Sequence, residues 1–318
     1  MSKTPKNPFV ISEASPIPEQ LLTAKELLDE IDDFYSILTS THCDLYRVVS
    51  EADLSQFIKR TKESIESTKE SINLTECYYY LQRIAAFVCD GHTKIQTPDT
   101  WTPKVFPAEV TLSNNRVFVK SSIGEARIPL GAEIIAIGQY PISTIINQTM
   151  EYIEGTLEHY KEEQWADCLS FFLQTKSDLK APWLVEYIHG GKKSSVEIDS
   201  ISRDSDDYKT WFRKRVLPSK GIQRMNGKSV PVLILPHLGF DKETFWKLIG
   251  DFFESSANEP YIIIDLRRCP GGNGERGFEV IARLMKHDRP EGYSLVSSSV
   301  FRVSELYKKY VNYQIECL

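Results

Sequence analysis

The sequence has no apolar run of the length needed to cross a bilayer; its richest stretch, Tyr261-Ile262-Ile263-Ile264, is the size of a strand. Cysteine is sparse. The six thiols, Cys43, Cys77, Cys89, Cys168, Cys269 and Cys317, are scattered with no C-x-x-C spacing, which argues against a zinc site and against a disulfide framework. No metal or cofactor is therefore expected. Positive charge is not in excess either: with a formal net charge of −6 the chain lacks the Lys/Arg surplus that neutralises phosphates, so no nucleic-acid partner is expected. Arg213-Lys214-Arg215 reads as a solvated basic patch. The opening MSKTPKNPFVISEASPIPEQ lacks the apolar core of a secretory leader, and a cytoplasmic location is the expectation that follows. Repeats of fixed period and low-complexity segments are also missing.

What is present suits a packed globular chain: 318 residues, 41% of them hydrophobic and 26% charged, enough for two or three domains. Thr23 and Glu26 make a capping box before Leu27, Leu28, Ile31, Phe34, Tyr35 and Leu38, which recur at helical spacing. Ser50 can cap a second helix with Leu54, Phe57, Ile58 and Ile65 on its apolar side, and a third runs from about Thr75 through Val88. Gly91 falls where a left-handed residue often ends a helix. Lys94-Ile95-Gln96-Thr97 then reads as a strand. Strands and turns follow, with Asn114-Asn115 and Gly190-Gly191 as hairpin signals and Ala132 to Ile137 as a buried strand. Ser143 can cap a helix from Thr144 to Glu154, and another covers about 158 to 174. From about 229 a β-α-β-α order appears: Val232 to Leu235, a helix capped by Asp241, Tyr261 to Leu266, and a helix over Gly277 to Met285.

Two motifs can carry chemistry. In Asp90-Gly91-His92-Thr93 a histidine occupies a helix-to-strand corner, where a near-neutral imidazole can act as general base or can simply meet the free carbonyls of the helix end. In Asp265-Leu266-Arg267-Arg268-Cys269-Pro270-Gly271-Gly272 a hydrophobic strand runs into paired glycines. Sites of open α/β sheets gather at such strand ends, and glycines let backbone N–H groups reach a substrate oxygen. The same pair can also serve only the tight turn. Gly272-Asn273-Gly274-Glu275-Arg276-Gly277 fits G-x-G-x-x-G, but no acidic residue follows on the next strand for a ribose, which disfavours a dinucleotide fold.

Taken together, the two motifs, in this order and with helices ahead of the first, resemble the signatures of the tail-specific (C-terminal-processing) serine peptidases, particularly their tricorn-core-like branch. Pro129 to Ile137 looks like a strand of a degenerate PDZ-like module. The resemblance spans about residues 20 to 318. It implies an α/β (α+β, multidomain) fold with a helical domain over 1–98, a degenerate PDZ-like β-rich module over 99–202, a linker over 203–228 and an incomplete peptidase core over 229–318. It also implies His92 as general base, Gly271 and Gly272 as oxyanion-hole amides, and Asp90, Asp265 and Arg267 as structural support, with a peptide or unfolded protein as substrate and no metal. Relatives are often exported. The chain departs from the family's pattern in two ways. Cys269 stands where asparagine is usual, and the expected serine turn is not found before Leu318, since Ser297, Ser298 and Ser299 come too early and lack its context. The chain alone is therefore expected to be nearly inactive, and a non-catalytic peptide-binding protein is the alternative. A cysteine nucleophile, Cys269 or Cys89 paired with His92, is a third possibility.

Overall fold

The computed structural model describes residues 20–68, 71–97, 101–124, 128–175, 179–269 and 271–285, together with 302, 304–306 and 308. It divides into two compact units, Met1–Ser205 with Val300–Leu318, and Asp206–Ser299. Pro270, Ser297, Ser298 and Ser299 lie outside the described residues, as does all but Arg302 of the strand expected over 293–303.

The first unit opens with β1 (Leu21–Leu22) and α1 (Ala24–Thr41), then α2 (Glu51–Thr68), β2 (Ile72–Asn73) and α3 (Leu74–Phe87). The capping box of Thr23 and Glu26 forms, and Ser50 Oγ accepts the Asp53 N–H at 3.1 Å, so the first two helices start where their caps sit. Asn73 and Glu76 make a second capping box that starts α3 at Leu74. Leu27, Ile31, Leu54, Ile58, Ile65 and Ile84 from the three helices, with Ile72 of β2, close on one another as one core. Each such side chain, fully buried, contributes about 1.5–3 kcal/mol.

A sheet follows. β3 (Lys104–Val105) pairs with β10 (Ile201–Ser202), while β4 (Ala108–Ser113), β5 (Arg116–Ser122), β6 (Glu133–Ile137), β8 (Trp183–His189) and β9 (Lys192–Ile198) lie side by side in that order. All neighbours are antiparallel, and β7 (Tyr140–Pro141) folds back on β6. α4 (Ile142–Thr149) and α5 (Glu158–Thr175) are the helices of this part. Trp165, Leu169, Phe172 and Leu173 recur along one face of α5 and share a core with Val117, Ile134, Val185 and Trp183 of the sheet.

In the second unit, α6 (Asp206–Val216) precedes an antiparallel pair, β11 (Ser219–Met225) and β12 (Lys228–Ile234). α7 (Lys242–Ser255) then crosses over to β13 (Ile263–Asp265), parallel to β12, and α8 (Gly274–Met285) follows. Leu233, Leu235, Phe245, Ile249, Phe252 and Val280 form its core. With eight helices and several sheets among the described residues, the fold is α+β, and the β-α-β-α order is present.

Four local expectations are corrected. Residues 203–228 are not a bare linker but hold α6 and β11. Asp206 and Asp207 in the first turn of α6 and Arg213, Lys214 and Arg215 in its last turn complement the helix dipole. Asn226 and Gly227, at φ 50° and 77°, turn β11 into β12. This is the same left-handed pair used by Asn114-Asn115 and Gly190-Gly191. The left-handed residue after α3 is Cys89, at φ 59°, and not Gly91. Residues 94–97 pair with no strand, because the Ile95 N–H is taken by the Gln82 side chain at 2.7 Å. Finally, α4 starts at Ile142, directly after Pro141, and not at Thr144.

The capping of α3 gives a direct check. Asn73→Ala is expected to lower stability by about 1 kcal/mol in urea unfolding while Asn73→Asp stays within a few tenths of the parent, because only the alanine removes the acceptor for the Glu76 N–H. Equal loss in both variants would contradict the cap.

Candidate active site

The histidine corner belongs to the first unit. The N–H groups of Val88 and Cys89 reach back to Ala85 and Ala86, and the left-handed Cys89 then stops α3. Asp90 closes the next turn twice: its carbonyl accepts the Thr93 N–H at 3.1 Å and its carboxylate accepts the Thr93 hydroxyl at 2.8 Å. His92 stands exposed between them, and its imidazole bonds to none of the last carbonyls of α3.

The backbone on both sides of His92 is fastened. Buried Gln82 donates to the Tyr152 carbonyl at 2.8 Å and to Glu154 at 3.3 Å, while its own carbonyl takes the Ile95 N–H. Lys94 Nζ lies 3.7 Å from the buried Glu154, and the Tyr160 hydroxyl donates to the Gly91 carbonyl at 3.3 Å. His42 supplies the remaining brace. Its Nδ1 accepts the Asp44 N–H at 3.1 Å, which leaves the proton of the neutral ring on Nε2, 3.5 Å from Asp90 Oδ2. Burial alone would raise the Asp90 carboxyl, but the Thr93 hydroxyl, His42 and the His92 N–H outweigh it and hold the group below its ordinary range.

The glycine turn belongs to the second unit. β13 ends in Asp265, whose carboxylate accepts from Arg267 Nε at 2.9 Å and from Nη2 at 2.7 Å. This two-pronged bond from Arg267 lowers the Asp265 carboxyl to about 2 against the opposing effect of burial. Cys269 turns the chain through a bond from its N–H to the Leu266 carbonyl, and its thiol lies 3.9 Å from the Gly271 carbonyl.

Gly271 and Gly272 follow at φ 121° and 134°, a region that side chains avoid. Here the chain meets the segment leaving β12. The Leu238 N–H donates to the Gly271 carbonyl at 2.7 Å, and the Asn273 N–H donates to the Leu238 carbonyl at 3.1 Å. A Cβ on Gly272 would lie 2.6 Å from the Leu238 carbonyl carbon, whereas one on Gly271 would meet nothing within 4 Å. In this parallel bridge Leu238 makes both bonds, to the neighbours of Gly272, so the N–H of Gly272 itself points away from the Leu238 segment. Gly272 accordingly donates to no acceptor among the described residues. Asn273 accepts the Glu275 N–H at 2.9 Å and so caps α8.

Several residues of this neighbourhood carry no motif. His237, just past β12, stacks on Phe240 with ring centroids 3.8 Å apart, and its Nδ1 accepts the Gly239 N–H. Its signal was positional: it follows a buried strand at the same sheet edge as the glycine turn. Gln82 and Glu154 had no readable signal, since their roles depend on partners about 70 positions away.

No family model matches the chain, and no curated protein resembles it in sequence. The fold is similar to that of solved structures of a protease. The structure of CPAF, a chlamydial serine protease, in its mature form complexed with lactacystin superposes with a TM-score of 0.55 at 15% identity, covering 81% of this chain and 59% of that one. A serine-to-alanine mutant of CPAF matches with the same TM-score and identity, over 79% of this chain and 57% of that one. The chain thus spans less than two thirds of the structures it matches.

Two outcomes follow. Gly272→Ala is expected to cost about 3 kcal/mol or more in denaturant unfolding, through both φ strain and overlap, and Gly271→Ala only about 1–2 kcal/mol; equal costs would remove the close approach as the cause. Asp265, with its folded pKa lowered to about 2 from an ordinary 3.8, adds stability that is full above pH 4 and is lost as the pH falls towards 2. The stability gap between parent and Asp265→Asn should therefore narrow across that window, and a gap independent of pH would contradict the ion pair.

Proposed function

We propose that this chain carries the general base and the oxyanion-binding turn of a serine peptidase of the tail-specific kind. The observation that bears most weight is the Gly272 N–H. It is held by the Leu238 bridge, turned away from that partner and free of any acceptor among the described residues. A donor fixed in this way needs no rearrangement to meet a developing oxyanion, which is the condition for large electrostatic catalysis. The protease fold supports the reading, and so does the sheet edge on which the turn lies.

In this scheme His92 takes the proton from a serine hydroxyl as that oxygen attacks the peptide carbonyl, and returns it to the leaving amine. Gly272, with Gly271 shaping the turn, stabilises the tetrahedral oxygen. Asp90 and the Asp265–Arg267 pair hold the two motifs in shape and do no chemistry. The substrate is a peptide or an unfolded protein. Residues 1–98 serve as a helical domain, 99–202 as a PDZ-like module and 229–318 as part of the peptidase core. None of the described serines is assigned as the nucleophile.

Peptide binding without cleavage is the second reading. It draws on β11, an edge strand exposed at all seven residues, to which an extended peptide could add.

A quenched fluorescent polypeptide without stable structure separates the two when given to the protein in its full-length form. The peptidase reading expects cleavage that His92→Ala reduces about a thousandfold or more. Saturable binding with the polypeptide left intact would support the second reading, and cleavage indifferent to His92→Ala would overturn the first.

A further inference from the structure

The second unit contains a buried cation that has no counter-charge among the described residues. Arg276, on the first turn of α8, is only 7% exposed, and its Nε has no hydrogen-bond partner. Its guanidinium carbon lies 5.8 Å from the centre of the Phe245 ring, on the second turn of α7. Phe245 in turn stacks on Phe240 at 6.4 Å, and Phe240 on His237.

The connectivity fixes where this happens. α7 leaves the carboxyl end of β12 and α8 leaves the carboxyl end of β13, and these strands are parallel, so both helices begin at the same edge of the sheet. Arg276 therefore lies among two helix amino termini, where the helix dipoles already favour an anion. The acids nearby do not compensate it. Asp241 is spent on the Thr244 N–H, Asp265 on Arg267 and Glu279 on Arg283, while Glu243 and Glu275 are exposed, and none of the five forms an ion pair with Arg276. A buried guanidinium among positive helix ends, set over the Phe245 ring and with no ion-pair partner among the described residues, is costly for the isolated fold. An arrangement of that kind is accounted for by an anion that arrives with a ligand.

We propose that Arg276, between the amino termini of α7 and α8 at the carboxyl edge of the β12–β13 sheet, is the floor of a site for a carboxylate presented by an extended peptide. A guanidinium grips a carboxylate with two parallel N–H bonds, and the partly exposed rings of Phe240 and His237, backed by the fully buried Phe245, offer an apolar wall beside it. The carboxylate can come from an acidic side chain or from the peptide's own carboxyl terminus. Binding needs no peptidase step, so the site stands or falls separately from the catalytic reading.

The test uses three acetylated pentapeptides titrated calorimetrically into the parent protein: a neutral alanine peptide amide, the same amide with a central aspartate, and the alanine peptide with a free carboxyl terminus. At least one carboxylate peptide should bind about tenfold or more tightly than the neutral amide, and whichever does so identifies the source. Arg276→Met should erase that preference while melting at or above the parent temperature, because it replaces an unpaired buried charge by an apolar side chain of similar length. Arg276→Lys should retain part of it. Equal binding of all three peptides by the parent, an unchanged preference in Arg276→Met, or a Met variant that melts several degrees lower would each overturn the proposal.

Discussion

The backbone of Gly272 runs so close to Leu238 and Gly239 that a side chain there would overlap main-chain atoms, and most of what the second unit offers for chemistry depends on that contact. The bridge joins the segment leaving β12 to the segment leaving β13 and ties up the Gly271 and Leu238 carbonyls. It also turns the Gly272 N–H outward. Because the constraint is made by main chain alone, the donor's direction does not depend on any side-chain rotamer, which suits a group that must not reorganise during reaction. Asn273 then caps α8 one residue further on, so turn and helix start as a single piece.

The histidine corner reaches rigidity by the opposite means. One main-chain bond, from the Thr93 N–H to the Asp90 carbonyl, closes the turn, and a lattice of side chains holds the rest, with Gln82 and Glu154 buried beneath and His42 and Thr93 bonded to Asp90. Such a lattice holds a loop only if every member is satisfied, since an orphaned buried amide or carboxylate costs more than its bond returns. The two motifs would therefore tolerate change differently: the glycine turn is sensitive at one residue, whereas the corner is sensitive at several positions far apart in sequence.

How much of this was legible in the sequence follows the range of the interactions. Caps and turns are local, so Thr23 with Glu26, Ser50, Asp241, Asn114-Asn115 and Gly190-Gly191 announced their elements. The β-α-β-α order could be read from apolar runs. Asn226-Gly227 was just as local a signal, but the charged residues before it disguised α6 and β11 as a linker. The corner after α3 misled because a non-glycine residue, Cys89, took the left-handed position. For the site, the two motifs were visible as residue types. Their supports were not: Gln82 acts through Tyr152, Glu154 and Ile95, and Leu238 acts through backbone atoms that any residue possesses.

The central claim is that the Gly272 N–H is the donor that meets a peptide carbonyl oxygen. An experimental structure of the protein with an extended peptide bound measures this most directly. The account predicts a carbonyl oxygen within about 3 Å of the Gly272 nitrogen. A bound peptide with no carbonyl oxygen at the Gly272 nitrogen would contradict it.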